Sequence, residues 1–117
     1  MCHYRHRAHA DPFFLPGLQD ITAHVDFSAI ATAASQGGLQ LAGYTSQARF
    51  LINCGITELM ARVPAEDAAK YLPLSNQANR LLSPAEMGEL FKVIAFSKTG
   101  GVPPLTGFAA GDQSHRL

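Results

Sequence analysis

Gln19-Asp20-Ile21-Thr22-Ala23-His24-Val25-Asp26-Phe27, followed by Ser28-Ala29-Ile30-Ala31-Thr32-Ala33-Ala34-Ser35-Gln36-Gly37-Gly38 and Leu39-Gln40-Leu41-Ala42-Gly43-Tyr44, reads as a polar extended approach, a helix, a glycine stop and a strand. Phe27, Ile30, Ala31 and Ala34 recur at helical spacing, and Asp26 stands where an N-cap carboxylate satisfies the first free backbone N–H groups. Gly37-Gly38 ends the helix, because glycine adopts the left-handed conformation of a C-terminal cap at little cost. Leu39, Leu41 and Gly43 then share one face of a short strand. Extended chain, helix and strand in this order make an α/β chain.

Working outward, residues 1–10 alternate loosely, and Asp11-Pro12 and Leu15-Pro16-Gly17 turn an extended entry into a loop. Beyond Tyr44, Thr45 or Ser46 can cap a helix running through Phe50, Leu51 and Ile52 to Gly55. A helical turn follows over 56–62, with Thr57 as its cap and Pro64 as its terminator. The pattern next predicts a helical hairpin, 65–72 and 74–82, broken near Pro73. Ser83-Pro84-Ala85-Glu86 has the form of a capping box with proline at the first helical position, and predicts a brief helix weakened by Gly88. Phe91-Lys92-Val93-Ile94-Ala95-Phe96-Ser97 reads as a mostly buried strand. Residues 1–99 form one unit, and 100–117, with Pro103-Pro104 and several glycines, read as a loop or flexible tail.

The totals narrow the classes. Of 117 residues, 47% are hydrophobic and 15% charged, a globular balance. Nine basic residues cancel nine acidic ones, so no overall field draws the chain to nucleic acid or to an anionic membrane. No run approaches the length of a membrane span, and no apolar leader precedes the His- and Arg-rich start. Cys2 and Cys54 form no CxxC pair, which fits a reduced, cytoplasmic setting. Two or three strands among so much helix leave sheet edges unpaired, so either a second copy or the rest of a larger α/β domain must cover them. A start inside a strand-like segment favours the larger domain.

His3-Tyr4-Arg5-His6-Arg7-Ala8-His9-Ala10-Asp11-Pro12, then Pro16-Gly17-Leu18 and the segment from Gln19 to Phe27, resembles the C-terminal third of MidA-type class I S-adenosylmethionine-dependent methyltransferases. Gly43-Tyr44-Thr45-Ser46-Gln47-Ala48-Arg49-Phe50-Leu51, Asn53-Cys54-Gly55-Ile56 and Met87-Gly88-Glu89-Leu90-Phe91-Lys92-Val93-Ile94 continue the likeness in order, to about residue 98. The resemblance implies the C-terminal portion of a Rossmann-like sheet, with its last two, antiparallel, strands near 39–44 and 91–97 and a helical insertion between them. It also implies S-adenosylmethionine as cofactor of the full-length protein and a protein arginine as acceptor, by analogy with relatives that act on a respiratory complex I subunit. The glycine-rich loop and acidic residue that would hold the cofactor have no counterpart here and are expected upstream. None is therefore expected to bind this chain alone, and the fragment is expected to be inactive by itself.

Methylating a guanidinium calls for a carboxylate that orients its planar fork of donors and for surroundings that let one nitrogen attack. Asp20 and His24 are the catalytic, acceptor-side candidates, with Thr22, Asp26, Tyr44 and Gln47 as substrate-binding candidates. Each has a plainer reading. Asp20 can form a turn after Gly17, His24 can be a buried histidine satisfied by backbone, Asp26 can cap a helix, and Tyr44 and Gln47 can start one. Two further classes stand beside methyl transfer. His3, His6, His9 and Asp11 offer metal-ligand chemistry, but in extended chain positions 3, 6 and 9 do not share a face, and no native metal is expected. The other is a non-catalytic interaction or dimerisation module.

Overall fold

The computed structural model describes residues 1–64, 66–98, 101 and 104–117. The expected helix start at 65, and the expectations for Gly100 and Pro103, lie outside the described residues.

The N-terminal segment is a small antiparallel sheet of β1 (Cys2–Tyr4), β2 (Arg7–His9) and β3 (Asp20–Ile21), with β1 in the centre. Cys2 faces His9 on one side and Ile21 on the other, and is buried. Arg5 and His6 make the tight β1–β2 turn with φ of 45° and 63°. Such a turn usually carries Asn-Gly or Gly-Gly, because two consecutive positive φ values crowd a Cβ. The 10–19 loop folds back beside the hairpin: Gln19 donates to the Pro12 carbonyl at 2.8 Å, and Phe14 packs edge-on to Tyr4 and His9, with ring centroids 6.2 and 5.3 Å away.

The second unit begins with α1 (Phe27–Gln36), which closes on Gly37 and on Gly38 at φ +78°. β4 (Gln40–Ser46) pairs antiparallel with β5 (Lys92–Ser97), with a bulge between Leu41 and Gly43. Between these strands lie α2 (Gln47–Asn53), α3 (Ile56–Ala61) and α4 (Ala68–Leu82). The strand pair expected near 39–44 and 91–97, and the helical segment between, are thus present in a mixed α/β chain.

Three local expectations are corrected. α4 runs unbroken through Pro73. That proline forfeits one hydrogen bond near the start of a 15-residue helix, and the burial of Ala78 and packing against α2 outweigh the loss. Thr57 does not cap α3: Gly55 does, at φ +88°, and the Thr57 hydroxyl donates to Glu58 instead. Ser83-Pro84-Ala85-Glu86 starts no helix. Gly88 donates to the Ser83 carbonyl at 2.9 Å, and its Cα lies so near Leu82 that a Cβ would come within 2.1 Å of the Leu82 oxygen. The chain there is a compact turn, whose Gly88 carbonyl accepts from Ala48 N–H at the start of α2.

The segment after 100, where described, carries two 3-10 turns, Thr106–Phe108 and Ser114–Arg116, and is tied to β4 and α2. Asn53 Nδ2 donates to the carbonyls of Gly107 and Ala110 at 2.9 and 2.8 Å. Phe108 lies over Gly43, and Phe50 packs edge-on to Phe108 at 5.4 Å while covering Gly107.

Little of the chain is deeply buried. Its radius of gyration is 18.1 Å, against about 13 Å for a compact domain of this length. Phe13 is 83% exposed and Leu18 67%, and Ile21 and Val25 are exposed beside them.

Candidate functional site

The polar segment from Asp20 to Asp26 joins the two units. Its start is held by strand pairing, with Asp20 opposite His3. Thr22 is clamped by its main chain: its N–H donates to the Met1 carbonyl at 2.8 Å, and the Met1 amino group donates to its carbonyl at 2.6 Å. Its end is held by α1, where Asp26 Oδ1 accepts from Ala29 N–H at 2.9 Å. Asp26 is therefore a helix cap, worth about 1 kcal/mol.

Between these anchors Asp20 and His24 are exposed, and neither side chain is hydrogen-bonded to any described residue. The plainer reading of His24, a buried imidazole satisfied by backbone, does not hold. Two unengaged groups on a stretch fixed at both ends are available to a ligand.

Tyr44 brings the other half of the site to this segment. Its ring meets Phe27, the first residue of α1, at 5.2 Å with the planes tilted by 48°. Its own main chain is engaged on the outer side of β4: N–H donates to Asp112 Oδ1 at 2.9 Å, and C=O accepts from Gln113 N–H at 2.6 Å. Gln47, at the start of α2, uses its side chain on the Leu81 carbonyl at 3.0 Å and its N–H on the Phe91 carbonyl at 2.9 Å. Gln47 thus ties the start of α2 to α4 and to the residue that precedes β5. The structure joins the Asp26–Phe27 corner to Tyr44 through ring packing, and no hydrogen bond among the described residues links any two of the six candidates.

Two polar residues between Tyr44 and Gln47 escaped the sequence reading as site builders. Thr45 is 0% exposed and Ser46 1%. Thr45 Oγ1 donates to the Gly111 carbonyl at 2.8 Å, and Ser46 caps α2. Their signal in the sequence was capping alone, since their long-range partners are more than 40 residues away.

Electrostatically, Ser46 is the hub of a small cluster. Its hydroxyl's hydrogen bond holds the Glu89 carboxyl below the usual carboxylate range against the upward pull of desolvation, with help from Lys92 and, at longer range, Arg49. Lys92 Nζ stands 3.3 Å from Glu89. At Asp112 burial pulls upward most strongly of any single effect. The hydrogen bonds from Tyr44 N–H and from the Ser114 hydroxyl and N–H, with the nearby His115, together outweigh it and hold that carboxyl below its ordinary value.

Gly37 and Gly38 cap the end of α1, where their N–H groups donate to the carbonyls of Ala33 and Ser35. Among the described residues no three His, Cys, Asp or Glu gather as a metal centre would need: His3 lies in β1, His6 in the turn and His9 in β2. No helix is long and apolar enough to cross a membrane among the described residues.

Residues 1–45 match the family described as "Putative S-adenosyl-L-methionine-dependent methyltransferase". Over 95 residues the chain is 36% identical to protein arginine methyltransferase NDUFAF7, mitochondrial, of Mus musculus, covering 79% of this chain and 21% of that protein. The Danio rerio protein of the same name is 33% identical over 95 residues, covering 80% and 22%. The crystal structure of a COG1565 superfamily member from Burkholderia thailandensis bound to S-adenosyl-homocysteine superposes with a TM-score of 0.86 at 61% identity, covering 100% of this chain and 30% of that one. The chain spans about a fifth of the curated relatives it matches and under a third of that solved structure. Fold, motif order and relatives agree: the chain belongs to the MidA-type family of S-adenosylmethionine-dependent methyltransferases, of whose fold it is one part.

Proposed function

We propose that this chain is the acceptor-side part of a protein arginine methyltransferase. The observation that carries the reading is the pair Asp20 and His24, exposed and unengaged on a segment pinned at Thr22 and Asp26. The protein arginine methyltransferases among the relatives supply the acceptor class.

The chemistry follows from the residue types. A carboxylate at Asp20 accepts two N–H bonds from a guanidinium and fixes its plane. The His24 imidazole can take up the proton that the substituted nitrogen releases. Thr22 and Asp26 hold the backbone on which both stand, and Tyr44 and Gln47 fix the wall behind it. S-adenosylmethionine, bound by another part of the fold, supplies the methyl group. A respiratory complex I subunit is the acceptor that the family likeness suggests, and the two free cysteines suit a reduced, cytoplasmic setting.

The test is transfer of a labelled methyl group from S-adenosylmethionine to protein, by this chain alone and by the chain joined to the remainder of the fold seen in its solved relatives. Transfer is expected from the joined protein alone. In it, Asp20→Asn with His24→Ala should abolish transfer while leaving cofactor binding intact, and full transfer by that double variant would refute the assignment. Micromolar binding of S-adenosylmethionine by the isolated chain would refute the division of labour.

A second reading, a non-catalytic module that pairs with its own copy, draws on the exposed Phe13, Leu18, Ile21 and Val25. It predicts a defined dimer in sedimentation, and monomeric or aggregating chain would count against it.

A further inference from the structure

The β1–β2 hairpin and the loop that folds back on it enclose an open groove of about 750 Å³, lined by Tyr4, Arg5, Arg7, His9, Asp11 and Phe14. None of these residues belongs to the acceptor site described above. Four features of the groove point to a ligand.

The first is backbone strain. Arg5 and His6 hold positive φ where glycine or asparagine would be comfortable, and residues kept in such conformations concentrate where function requires them. The strained turn sets the Arg5 guanidinium 5.4 Å from the Tyr4 ring centroid, at the groove. The second is charge: the cations Arg5 and Arg7 outnumber the one anion in the lining, Asp11, whose Oδ1 already accepts from Phe13 N–H at 2.9 Å. The third is an orphan donor. His9 Nδ1 accepts from Asp11 N–H at 3.3 Å, which leaves Nε2 as the donor of the neutral ring, and Nε2 is buried with no partner among the described residues. A buried N–H without an acceptor is costly unless a ligand supplies one. The fourth is the sheet edge. Among the described residues β2 is an outer strand, the kind of edge to which an extended chain adds by backbone pairing.

We propose that this groove binds an extended acidic peptide, laid along the β2 edge. A carboxylate of the peptide engages Arg5 and Arg7, an oxygen accepts from His9 Nε2, and apolar side chains flanking it pack on Tyr4 and Phe14. A peptide fits better than a free anion, because the groove is much larger than one carboxylate and has aromatic walls. It fits better than nucleic acid, because the chain has no net charge and Asp11 would face the phosphates. The proposal rests on the protein-substrate reading only for where such a peptide would come from, as an acidic stretch near the methylated arginine.

The test is fluorescence anisotropy of the chain with a short labelled peptide alternating glutamate and phenylalanine, measured without S-adenosylmethionine. Saturable binding that weakens with salt is expected, with about tenfold loss when glutamine replaces glutamate or when Arg7→Gln is introduced. Arg7→Glu should instead favour the peptide carrying lysine for glutamate. Arg5→Gly should weaken binding while raising the thermal midpoint, since it relieves the strained φ, a pairing that a purely structural arginine would not show. Equal binding of the glutamate, glutamine and lysine peptides would overturn the proposal, as would tighter binding of a single-stranded RNA of matched charge or unchanged affinity in all three variants. Because no methyl transfer is measured, failure here leaves the acceptor-site assignment standing, and failure of transfer leaves this one standing.

Discussion

Tyr44 N–H donates to Asp112 Oδ1 at 2.9 Å, across 68 positions of sequence, and so fastens the C-terminal segment to the outer side of β4. The same carboxylate accepts from the Ser114 hydroxyl at 2.8 Å. A carboxylate whose folded pKa lies below its unfolded value stabilises the fold above the unfolded pKa, and that contribution is lost as pH falls through the folded value. Asp112 is of this kind, so the fastening is at full strength at neutral pH and fades below the ordinary carboxylate range, about pH 4. Glu89 adds to the trend in the same direction. The thermal midpoint should fall on acidification below that range, and more shallowly in Asp112→Asn, whose side chain still accepts from Tyr44 but carries no charge.

Asp26→Ala should destabilise the chain by about 1 kcal/mol, because Ala29 N–H loses its acceptor, while Asp26→Ser should recover most of the loss. Thermal melts followed by helical circular dichroism check this. Equal loss in both variants would assign Asp26 a role beyond capping.

Gly43→Ala should loosen the C-terminal segment. A Cβ there would come within 2.4 Å of the Phe108 ring, and forcing extra volume into a close contact costs about 1–3 kcal/mol. Trimming the ring with Phe108→Ala should make Gly43→Ala nearly neutral in the double variant. A double-mutant cycle by thermal unfolding reads the coupling directly.

In the chain joined to the remainder of the fold, Asp20→Asn should lower the rate of methyl transfer by roughly a hundredfold with little change in stability, because its exposed side chain makes no hydrogen bond or ion pair among the described residues. His24→Ala should do the same and should alter the pH profile of transfer. Gln47→Ala should behave differently. It should lower stability by about 1 kcal/mol by releasing the Leu81 carbonyl, with a smaller effect on rate. Rates measured beside melting temperatures separate the two kinds of residue.

Much of the site was legible locally. Asp26 as a cap, Ser46 as a cap and Gly37-Gly38 as a stop depend on partners within a few residues, and the chain displays them in order. The misread elements share another cause. Pro73 looked like a break because propensity weighs one lost hydrogen bond, whereas α4 is held by packing along its length. The Ser83–Glu86 signature looked like a helix start because nothing local shows that Gly88 must pass against Leu82.

By itself the sequence determined the α/β order of elements, the polar approach to α1, the two strands that pair, and the family, because periodicity, capping chemistry and motif order are properties of neighbouring residues. Tertiary structure alone decided that Asp20 and His24 form no hydrogen bond among the described residues while Gln47 is consumed in scaffolding. It alone decided that Thr45 and Ser46 are buried, and that residues 106–116 lock onto β4 and α2. Each of these depends on which distant backbone groups come within hydrogen-bonding reach, and only the folded chain sets those distances.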